Sequence, residues 1–589
     1  MSFASLFRST FLALAAVLVG GLPARAHEDG VARPQALVGD VCEGGDPIAP
    51  TQVIEGSFPH ELQGAYVMVP FTVPSGTTSV RVKYCWDAPQ GEPASGHTID
   101  LGLRQTPSPG EEWGVRQFRG WGGSSHPDVT VTPQGFSSEA EYLERPKGHV
   151  PGRTTRGFLP GRIPPGRWAA ELGVAAVVPP EEGDPDGVRW RVEIELSSDP
   201  SFAAELYRPA RYDSYRRREG PAWYAGDMHV HAEHSALGDA TMNEVFDYAF
   251  RPLAEGGAGL DFITLSDYVT SAGWGEIGRY QDQYPENLVI RSSEIITYTG
   301  HTNNHASKTY VDHRKGPVYE RHADGSLELL RNAGPASGIF RVVRGRGGFT
   351  QINHPTIFPS SDPSLRRFCR GCPWDFTPEA TDFGLVDAIE IQTGPAGFGD
   401  TPNPFTLTAI EFWEDALSRG HHIAAVGSSD SHNAGRTTSA TQTPIGQATT
   451  MVWAEELSER GIRDAVQAGH TYVKLFGNAG PDLRFEARSP EGESGIMGDT
   501  LYAPAATFTA RVLGIPTDEG RHTLHVVRNG VVVASVPVDE PEIEYSFFAD
   551  GPARYRLQLQ RGALVIALTS PIYLGRGPRP DSSRGIPIQ

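Results

Sequence analysis

Cysteine is scarce in this chain, with four in 589 residues. That number is too small for the disulfide scaffold of a small secreted domain, but it allows two local bridges. The pairs we expect are Cys42 with Cys85 and Cys369 with Cys372, although four cysteines permit three connectivities. Cys369-Arg370-Gly371-Cys372 also has the spacing of a redox or zinc motif. Because the sequence lacks a second such pair, the favoured interpretation is a disulfide that closes a short loop.

Positive charge is also in short supply, since Lys and Arg total 51 against 71 Asp and Glu, and the formal net charge is -20. Nucleic acids and anionic membrane surfaces require clustered Lys and Arg, so neither is expected as the main partner. Small-molecule binding depends on local charge, and a small-molecule substrate is the partner we expect. Nothing in the composition indicates an oligomeric state.

Long apolar runs are missing beyond the N-terminus, which argues against stable insertion in a membrane. Residues 1–26 have the features of a signal peptide: Arg8 precedes an apolar run, and Ala24-Arg25-Ala26 has the small-x-small form of a cleavage site. The run is shorter than the ~20 residues that span a bilayer, which disfavours a membrane anchor. We therefore expect an exported protein, periplasmic or secreted, whose mature chain begins near His27.

Length and pattern together indicate several domains, because 589 residues exceed what one core usually supports. Residues 37–206 are rich in Pro and Gly and contain short runs that alternate at period two, which predicts a β-sandwich. Residues 481–575 alternate in the same way around an Asn529-Gly530 hairpin turn and predict a second, smaller β-sandwich. The tail at 576–589 is predicted to be loose.

The middle region, residues 222–478, changes to apolar strands that alternate with helical stretches. The predicted strands are 261–266, 288–293, 348–353, 388–392 and 423–428. Thr241 begins a capping box for a helix that ends at Gly256-Gly257, and Asn403-Pro404 opens a helix that runs to Arg419. Repeated strand-helix units predict a parallel sheet, most simply a barrel. The expected fold class is therefore α/β, with a barrel flanked by N-terminal and C-terminal β-sandwich domains.

Polar residues collect at the carboxyl ends of these predicted strands, where α/β barrels build their active sites. His229 and His231 alternate along one strand, so they share a face and can hold one metal ion together. Later strands are followed by Asp267, Glu294, His354, Asp430 and His432. Imidazoles and carboxylates without thiolates suit Zn²⁺, Mn²⁺ or Fe²⁺, and a carboxylate can bridge two ions. A multinuclear metal site is predicted, in preference to a set of core histidines and helix-capping aspartates.

These residues stand in motifs that resemble those of the PHP (polymerase and histidinol phosphatase) superfamily, in particular its CehA/McbA-type metallohydrolase branch. The motifs are, in order, His229-x-His231, Ser293-Glu294, Gly300-His301-Thr302-Asn303, Asn353-His354-Pro355 and Gly427-Ser428-Ser429-Asp430-Ser431-His432. Five short motifs in the right order, between about Trp223 and Gly477, are a specific signal. Ile99-Asp100-Leu101-Gly102-Leu103 and Phe118-Arg119-Gly120-Trp121 resemble that branch's leading β-domain more weakly.

The resemblance implies a distorted (β/α)₇ PHP-type barrel that holds up to three divalent ions at its strand ends, of which we expect two here. By matching motif, the first ion would be held by His229, His231, Glu294 and Asp430. Glu294 would bridge to a second ion held by His301 and His354, and His432 belongs to the third-metal position. There the chain departs from the pattern, because Tyr268 replaces the usual His and puts the third ion in question. His234 is either a compensating ligand or a solvent-facing loop residue.

The resemblance also implies hydrolysis by a metal-activated hydroxide, acting on a phosphoester or on a carbamate or related ester. The candidate catalytic residues are Asp267, Tyr268, His305 and Arg436. Tyr268 is a candidate substrate contact, and His305 could meet a developing negative charge or belong to a plain surface loop. Arg436 could bind an anionic group or be a structural arginine. The alternative function is an exported ligand- or glycan-binding protein with a metal-stabilised barrel.

Overall fold

The computed structural model describes residues 46–87, 96–108, 113–182, 185–362, 365, 369–436, 443–516 and 520–575, together with the backbone of two short strands at 37–38 and 41–42. The predicted signal peptide, the start near His27 and the tail from 576 lie outside these residues. Within the described part of the chain, no helix has the length and apolar character needed to cross a membrane.

The N-terminal region contains two main sheets that share one apolar core. Its elements are β1 (Leu37–Val38), β2 (Val41–Cys42), β3 (Gln52–Phe58), β4 (Tyr66–Val73), β5 (Ser79–Trp86), β6 (Thr98–Arg104), β7 (Phe118–Gly123), β8 (Asp128–Val131), α1 (Glu139–Glu144), β9 (Gly166–Ala176) and β10 (Val188–Ser197). One sheet has the order β3-β10-β5-β8, the other contains β4-β9-β6-β7, and the short strands β1 and β2 pair with each other. Alternation explains the packing, because Val188, Trp190, Val192 and Ile194 share one face of β10 and lie in the core.

The middle region is mixed α/β. Its strands are β11 (Arg218–Val230), β12 (Phe262–Leu265), β13 (Leu288–Arg291), β14 (Glu294–Thr297), β15 (Gly300–His305), β16 (Val318–Arg321), β17 (Leu327–Arg331), β18 (Phe349–Ile352), β19 (Ala388–Gln392), β20 (Gly397–Phe398), β21 (Thr401–Pro402), β22 (Ala424–Gly427), β23 (Thr449–Leu457) and β24 (Thr471–Lys474). Its helices are α2 (Met242–Phe250), α3 (Ser337–Gly345), α4 (Pro378–Thr381), α5 (Pro404–Ser418) and α6 (Glu459–Ala468). β16 and β17 extend the second N-terminal sheet beside β4.

Short 3₁₀ turns connect these elements. They lie at His60–Leu62, Val115–Gln117, Pro180–Glu182, Pro200–Ala203, Leu253–Glu255, Ala272–Gly275, Ile277–Arg279, Gln281–Gln283 and Phe383–Leu385.

The five strands predicted for this region are confirmed as β12, β13, β18, β19 and β22. Both predicted helix starts are confirmed as well. The Thr241 hydroxyl accepts the N–H of Glu244 while the Glu244 carboxylate accepts the N–H of Thr241, and Asn403 caps α5. Helix α2 ends at Phe250, earlier than predicted, because Pro252 disfavours helical backbone in the residue before it.

Apart from β16 and β17, which join an N-terminal sheet, and the small hairpin of β20 and β21, the strands of the middle region pair in two sheets. β11, β12 and β13 are parallel neighbours, and β11 also pairs antiparallel with β23. The second sheet has the order β14-β15-β18-β19-β22. An isolated parallel bridge between Val230 and Ser431 joins the two sheets, and apolar residues of both share one core. This pairing differs from the single closed barrel sheet that the strand-helix pattern predicts.

A hairpin accounts for part of that difference. β14 and β15 are antiparallel, with Glu294 paired to Asn303 and Thr297 to Gly300. The sequence predicts Glu294 at the end of a strand. In the structure Glu294 is the first residue of β14, and Ser292 and Ser293 separate β14 from β13. The sequence of β15 is polar throughout, so its hydrophobic pattern does not reveal a strand.

The C-terminal region is again composed of strands. They are β25 (Asp482–Arg488), β26 (Ser494–Ile496), β27 (Thr500–Leu501), β28 (Ala505–Leu513), β29 (His522–Arg528), β30 (Val531–Val538), β31 (Glu542–Asp550), β32 (Ala553–Arg561), β33 (Leu564–Thr569) and β34 (Ile572–Leu574). One sheet has the order β26-β25-β28-β31, and β33, β32, β29 and β30 continue the sheet of β24. The predicted Asn-Gly turn is confirmed, because Asn529 (φ 49°) and Gly530 (φ 83°) connect β29 to β30.

One of the two expected disulfides is confirmed. Cys369 and Cys372 form a disulfide that closes a short loop, with their Cα atoms 5.6 Å apart. Cys85 is also disulfide-bonded. The side chain of its expected partner, Cys42, lies outside the described residues.

Candidate metal centre

Two groups of buried side chains meet where the strands of the two sheets end. In the first ligand group, His229, His231, Glu294 and Asp430 offer ligand atoms that all lie within 4.8 Å of one another. His229 and His231 come from the end of β11, and Asp430 follows β22. The second ligand group consists of His301, His354 and, again, Glu294. All six predicted ligands of a dinuclear site are therefore brought together.

Glu294 divides its two oxygens between the groups. Its Oε1 is 3.3 Å from Nδ1 of His301 and 3.2 Å from Nε2 of His354. Its Oε2 is 3.4 Å from Nε2 of His229 and 3.7 Å from Nε2 of His231. A carboxylate with one oxygen toward each pair of imidazoles has the arrangement of a bridging ligand.

The first group converges on one point. The Nε2 atoms of His229 and His231 are 3.0 Å apart, and Oδ1 of Asp430 is 3.3 Å from the former and 2.9 Å from the latter. Nδ1 of His231 is 2.9 Å from the Ser235 hydroxyl, so that contact turns Nε2 toward Asp430. Electron-pair donors that face each other in this way repel unless a proton or a cation lies between them.

Two candidate ligands have strained backbones. Asp430 has φ 53° and His354 has φ 27°, both in the left-handed region that residues with a Cβ rarely occupy. Hydrogen bonds hold both in place: the Asp430 N–H donates to the carbonyl of His229 at 3.0 Å, and the His354 N–H donates to Glu390 Oε2 at 2.6 Å. Such strain costs on the order of 1–3 kcal/mol and is concentrated at functional sites.

Two buried carboxylates that sequence reasoning missed support the ligands. Glu390, on β19, is fully buried and places Oε1 3.4 Å from Nδ1 of His229, on the side of the ring opposite the cluster. Asp227 accepts N–H groups from His229, Ser429 and Gly446, and so ties β11 to the loops after β22. A charged residue inside an otherwise apolar strand was the available signal for Glu390.

The charges of the cluster are strongly coupled. Burial alone lowers the pKa of His229, but the carboxylates of Asp430, Glu294 and Glu390 outweigh it and hold that pKa well above its ordinary value. Burial alone raises the pKa of Glu294, but His229 and the hydrogen bonds from His301 and His354 hold it well below its ordinary value. Glu294 therefore stays ionised, and it attracts positive charge into the cluster.

Tyr268 lies beside the first group but is not one of the converging ligands. Its ring packs against His231, with centroids 5.1 Å apart, and against His432 at 5.9 Å. Its hydroxyl accepts the N–H of Leu237 at 2.8 Å. Burial raises the pKa of Tyr268 well above its ordinary value, so the hydroxyl keeps its proton.

Asp267 lies at the predicted strand end, next to the loop that follows His231. Its Oδ1 accepts the N–H of Ala232 at 2.8 Å, and its buried Oδ2 has no hydrogen-bond partner among the described residues. Burial raises the pKa of Asp267 well above its ordinary value.

The two histidines considered for a third position are placed differently. The His432 ring stacks on His231 with centroids 4.2 Å apart, and its Nδ1–H donates to the carbonyl of Asp430 at 2.9 Å. The expectation of a solvent-facing His234 is wrong, because this side chain is buried and its Nδ1 accepts the N–H of Gly157 at 3.3 Å. The N-terminal region covers this loop, which the sequence alone could not reveal.

Neither His305 nor Arg436 belongs to the groups of converging ligands. His305 is fully buried on β15, with Nδ1 3.0 Å from the Ser292 hydroxyl and Nε2 3.2 Å from Oε1 of Gln351. Both ring nitrogens have partners inside the protein, so the surface-loop alternative is wrong, while the predicted substrate contact stays a prediction. Arg436 is half exposed and donates to the carbonyl of Asp239 at 2.7 Å, as expected for a structural arginine.

The N-terminal region forms a wall of the site. Trp121 packs edge-on against Tyr268, with centroids 6.0 Å apart. Phe118 stacks on Tyr310 at 3.7 Å, and the Tyr298 hydroxyl donates to Oδ2 of Asp100 at 2.7 Å. These contacts involve residues of the two N-terminal segments at 99–103 and 118–121.

Comparisons with known proteins add little to this geometry. No family model matches the sequence, and no curated protein matches it. One similar solved structure is a two-domain protein from Bacteroides vulgatus ATCC 8482, described as containing a predicted PHP-like metal-dependent phosphoesterase. It is 16% identical, with a TM-score of 0.31, and the match covers 62% of this chain and 100% of that chain.

Proposed function

We propose that this chain is a metal-dependent hydrolase of the PHP type that holds two divalent ions at the strand-end cluster. His229, His231 and Asp430 hold one ion, His301 and His354 hold the other, and Glu294 bridges them. The donor set of imidazoles and carboxylates suits zinc, manganese or iron. The strands of the middle region then correspond to a distorted (β/α)₇ barrel.

One observation carries the proposal, namely the division of the Glu294 oxygens between two pairs of histidines. A carboxylate that only completed a buried ion pair would need one cationic partner on one side. Here four imidazoles surround it, and a fifth, His432, stacks on one of them.

Divalent ions at such a site supply Lewis-acid activation of water and of the bond to be hydrolysed. The chain's own part is to fix the ligands and limit access of solvent. Glu390 and Ser235 contact Nδ1 of His229 and His231, so each Nε2 faces the cluster. Tyr268 keeps a protonated hydroxyl beside His231, where it can donate to an oxyanion or a leaving group.

The substrate class in this proposal is a phosphoester or a carbamate or related ester, because both need a strong oxygen nucleophile and stabilisation of a developing anion. Export is part of the proposal and is supported by the signal-peptide features of residues 1–26.

The test begins with purified protein stripped of metal and reloaded separately with Zn²⁺, Mn²⁺ and Fe²⁺. Metal content is measured, and turnover is assayed with a chromogenic phosphodiester, a phosphomonoester and an aryl carbamate. We expect about two ions per chain and cation-dependent hydrolysis of at least one substrate. A protein that binds no divalent ion and hydrolyses none of the three would contradict the proposal.

A further inference from the structure

The disulfide-closed loop at residues 369–372, which we call the cystine loop, lies directly against the second ligand group. The bond between Cys369 and Cys372 closes it, and Gly371 at its tip has φ 80°. A Cβ at Gly371 would come within 2.2 Å of the carbonyl oxygen of Thr297, so the loop packs against the β14–β15 turn without space for a larger residue.

The cystine loop offers a backbone carbonyl to each histidine of the second group. The carbonyl of Arg370 lies 3.4 Å from Nε2 of His301, and that of Cys372 lies 3.0 Å from Nδ1 of His354. In each ring the other nitrogen, Nδ1 of His301 or Nε2 of His354, faces Oε1 of Glu294.

This arrangement determines which ring nitrogen carries the proton. A carbonyl only accepts hydrogen bonds, so each histidine presents an N–H to the loop. The remaining nitrogen of a neutral ring then has its lone pair directed toward Glu294, as a metal ligand requires. The first ligand group has a different support, since its histidines contact the side chains of Glu390 and Ser235.

We propose that the cystine loop positions His301 and His354 for the second ion and that opening its disulfide selectively weakens that ion. The inference rests on the proposed function, because it concerns the same two-ion site. A dithiol reductant supplies two electrons and two protons: the S–S bond breaks, Cys369 and Cys372 become thiols, and the reductant becomes a disulfide. Cys369 is half-buried and Cys372 is buried, so one reductant thiolate attacks Cys369 to form a mixed disulfide, and Cys372 leaves as a thiolate that is then protonated. The second thiol of the reductant then attacks the reductant's own sulfur in the mixed disulfide, which releases the Cys369 thiol and closes the reductant's disulfide.

A competing outcome also follows from the geometry. Ligand atoms of His301, His354 and Cys372 lie within 4.8 Å of one another. A reduced Cys372 that became a ligand would strengthen the second ion, which is opposite to the effect proposed here. The two outcomes differ in sign and in spectrum, because a Co²⁺-thiolate bond adds a charge-transfer band.

The experiment compares Co²⁺ binding by the wild type, by the Cys369→Ser/Cys372→Ser double variant, and by wild type that is reduced with a dithiol and desalted without air, both before and after alkylation. Metal content is measured by equilibrium dialysis together with the Co²⁺ absorption spectrum. The matched control is Cys42→Ser/Cys85→Ser, which targets the other expected disulfide. Circular dichroism and melting temperature report whether each variant is folded.

We expect Co²⁺ to bind to the wild type in two phases. Opening the loop should abolish the weaker phase or raise its dissociation constant by about tenfold or more. The other phase and the control should be unchanged. His301→Ala should cause little further loss in the opened-loop background, since both changes act through the same ligand.

Unchanged phases in the folded double variant would overturn the inference while leaving the proposed function intact. Tighter binding by the reduced, unalkylated wild type, with a new thiolate charge-transfer band, would overturn it as well. A wild type that binds no Co²⁺ would contradict both the inference and the proposed function. If the double variant does not fold, the reduced and alkylated wild type gives the same comparison.

Discussion

Two buried networks of histidine and carboxylate lie in this chain, and they differ in what balances their negative charge. One is the strand-end cluster, which comprises both ligand groups and Glu390. The other, which we call the interdomain network, joins β6 and β9 of the N-terminal region to the segment after β15. Its members are Arg104, Glu171, Asp312, His313 and Arg314.

The interdomain network contains its own cations. Nε of Arg104 is 2.5 Å from Oε2 of Glu171, and Arg314 donates to both oxygens of Asp312 at 2.9 Å. Burial raises the pKa of Glu171, but Arg104 and Arg314 outweigh it and hold that pKa well below its ordinary value. Every carboxylate here has a guanidinium partner, as in a buried structural ion pair.

The strand-end cluster has no such partner. Among the described residues, the ion pairs of Glu294, Glu390 and Asp430 all involve histidine, and none involves Lys or Arg. Histidine is neutral near pH 7 unless its surroundings raise its pKa, so the cluster must collect protons or a cation to balance its charge. The same residue types therefore stabilise the fold in one network and create a cation site in the other.

The largest effect is expected for Glu294→Gln. An amide cannot neutralise two ions, so we expect loss of much of the bound metal and a fall in activity of about a hundredfold or more, in a protein that stays folded. Metal analysis and turnover with the active substrate are the measurements. Full activity with unchanged metal content would show that Glu294 does not bridge two ions.

For Glu171→Gln in the interdomain network, we expect the protein to lose stability but to keep its metal and activity. Removing one partner of a buried ion pair leaves the guanidinium unbalanced, so the free energy of unfolding should fall by about 3 kcal/mol. Bound metal and activity of the folded protein should be unchanged. Urea unfolding followed by tryptophan fluorescence measures the change, with exposed Glu181→Gln as the matched control.

Glu171 should also contribute to acid sensitivity. Its pKa in the folded state lies well below the value of about 4.3 in the unfolded chain, so its ionised form stabilises the fold above that pH. This contribution is lost as the pH falls toward the folded-state pKa. The stability of Glu171→Gln should therefore decline less steeply below pH 4 than that of the wild type, and an equal decline would contradict the assignment.

A smaller effect is expected for Glu390→Gln, which tests whether Glu390 determines which ring nitrogen of His229 carries the proton. The amide oxygen can still accept the His354 N–H, but an amide N–H directed at Nδ1 of His229 would move the ring proton to Nε2. That proton would block a ligand atom, so metal affinity should fall by about 10- to 100-fold. Metal-binding isotherms measure the change, and Glu411→Gln on the exposed face of α5 is the control. Unchanged affinity would show that Glu390 supports only the backbone of His354.

The strands and the ligand positions of the middle region could be predicted because they depend on local patterns. Buried strands such as Ala424–Gly427 are short apolar runs, and ligands at strand ends follow those runs directly. The supporting residues could not be predicted in the same way. Glu390 lies within an apolar strand, and its role depends on His229, which is distant in sequence.

The misplaced residues share a physical cause. His305 lies in the polar segment from Gly300 to His305, which has no apolar alternation and so resembles a loop, although it pairs with β14 and β18. His234 resembles a loop residue because the side chains that bury it, Phe136 among them, belong to the N-terminal region. Tertiary burial of polar segments leaves no signal in local hydrophobic periodicity.

The smallest effect is expected at Tyr268, where the strand-end cluster departs from the ligand pattern it resembles. A phenol with an ordinary pKa near ~10 is a poor ligand near neutral pH, and burial raises this one further. Tyr268→Phe should keep about two bound ions and lose only the hydrogen bond from Leu237, worth about 1 kcal/mol of stability. Turnover should change only if the hydroxyl donates a proton or contacts an oxyanion. Tyr268→His should increase affinity for a third ion, because an imidazole then lies beside His432. Metal analysis of the three proteins decides the point: three tightly held ions in the wild type, with one lost in Tyr268→Phe, would identify the tyrosine as a ligand.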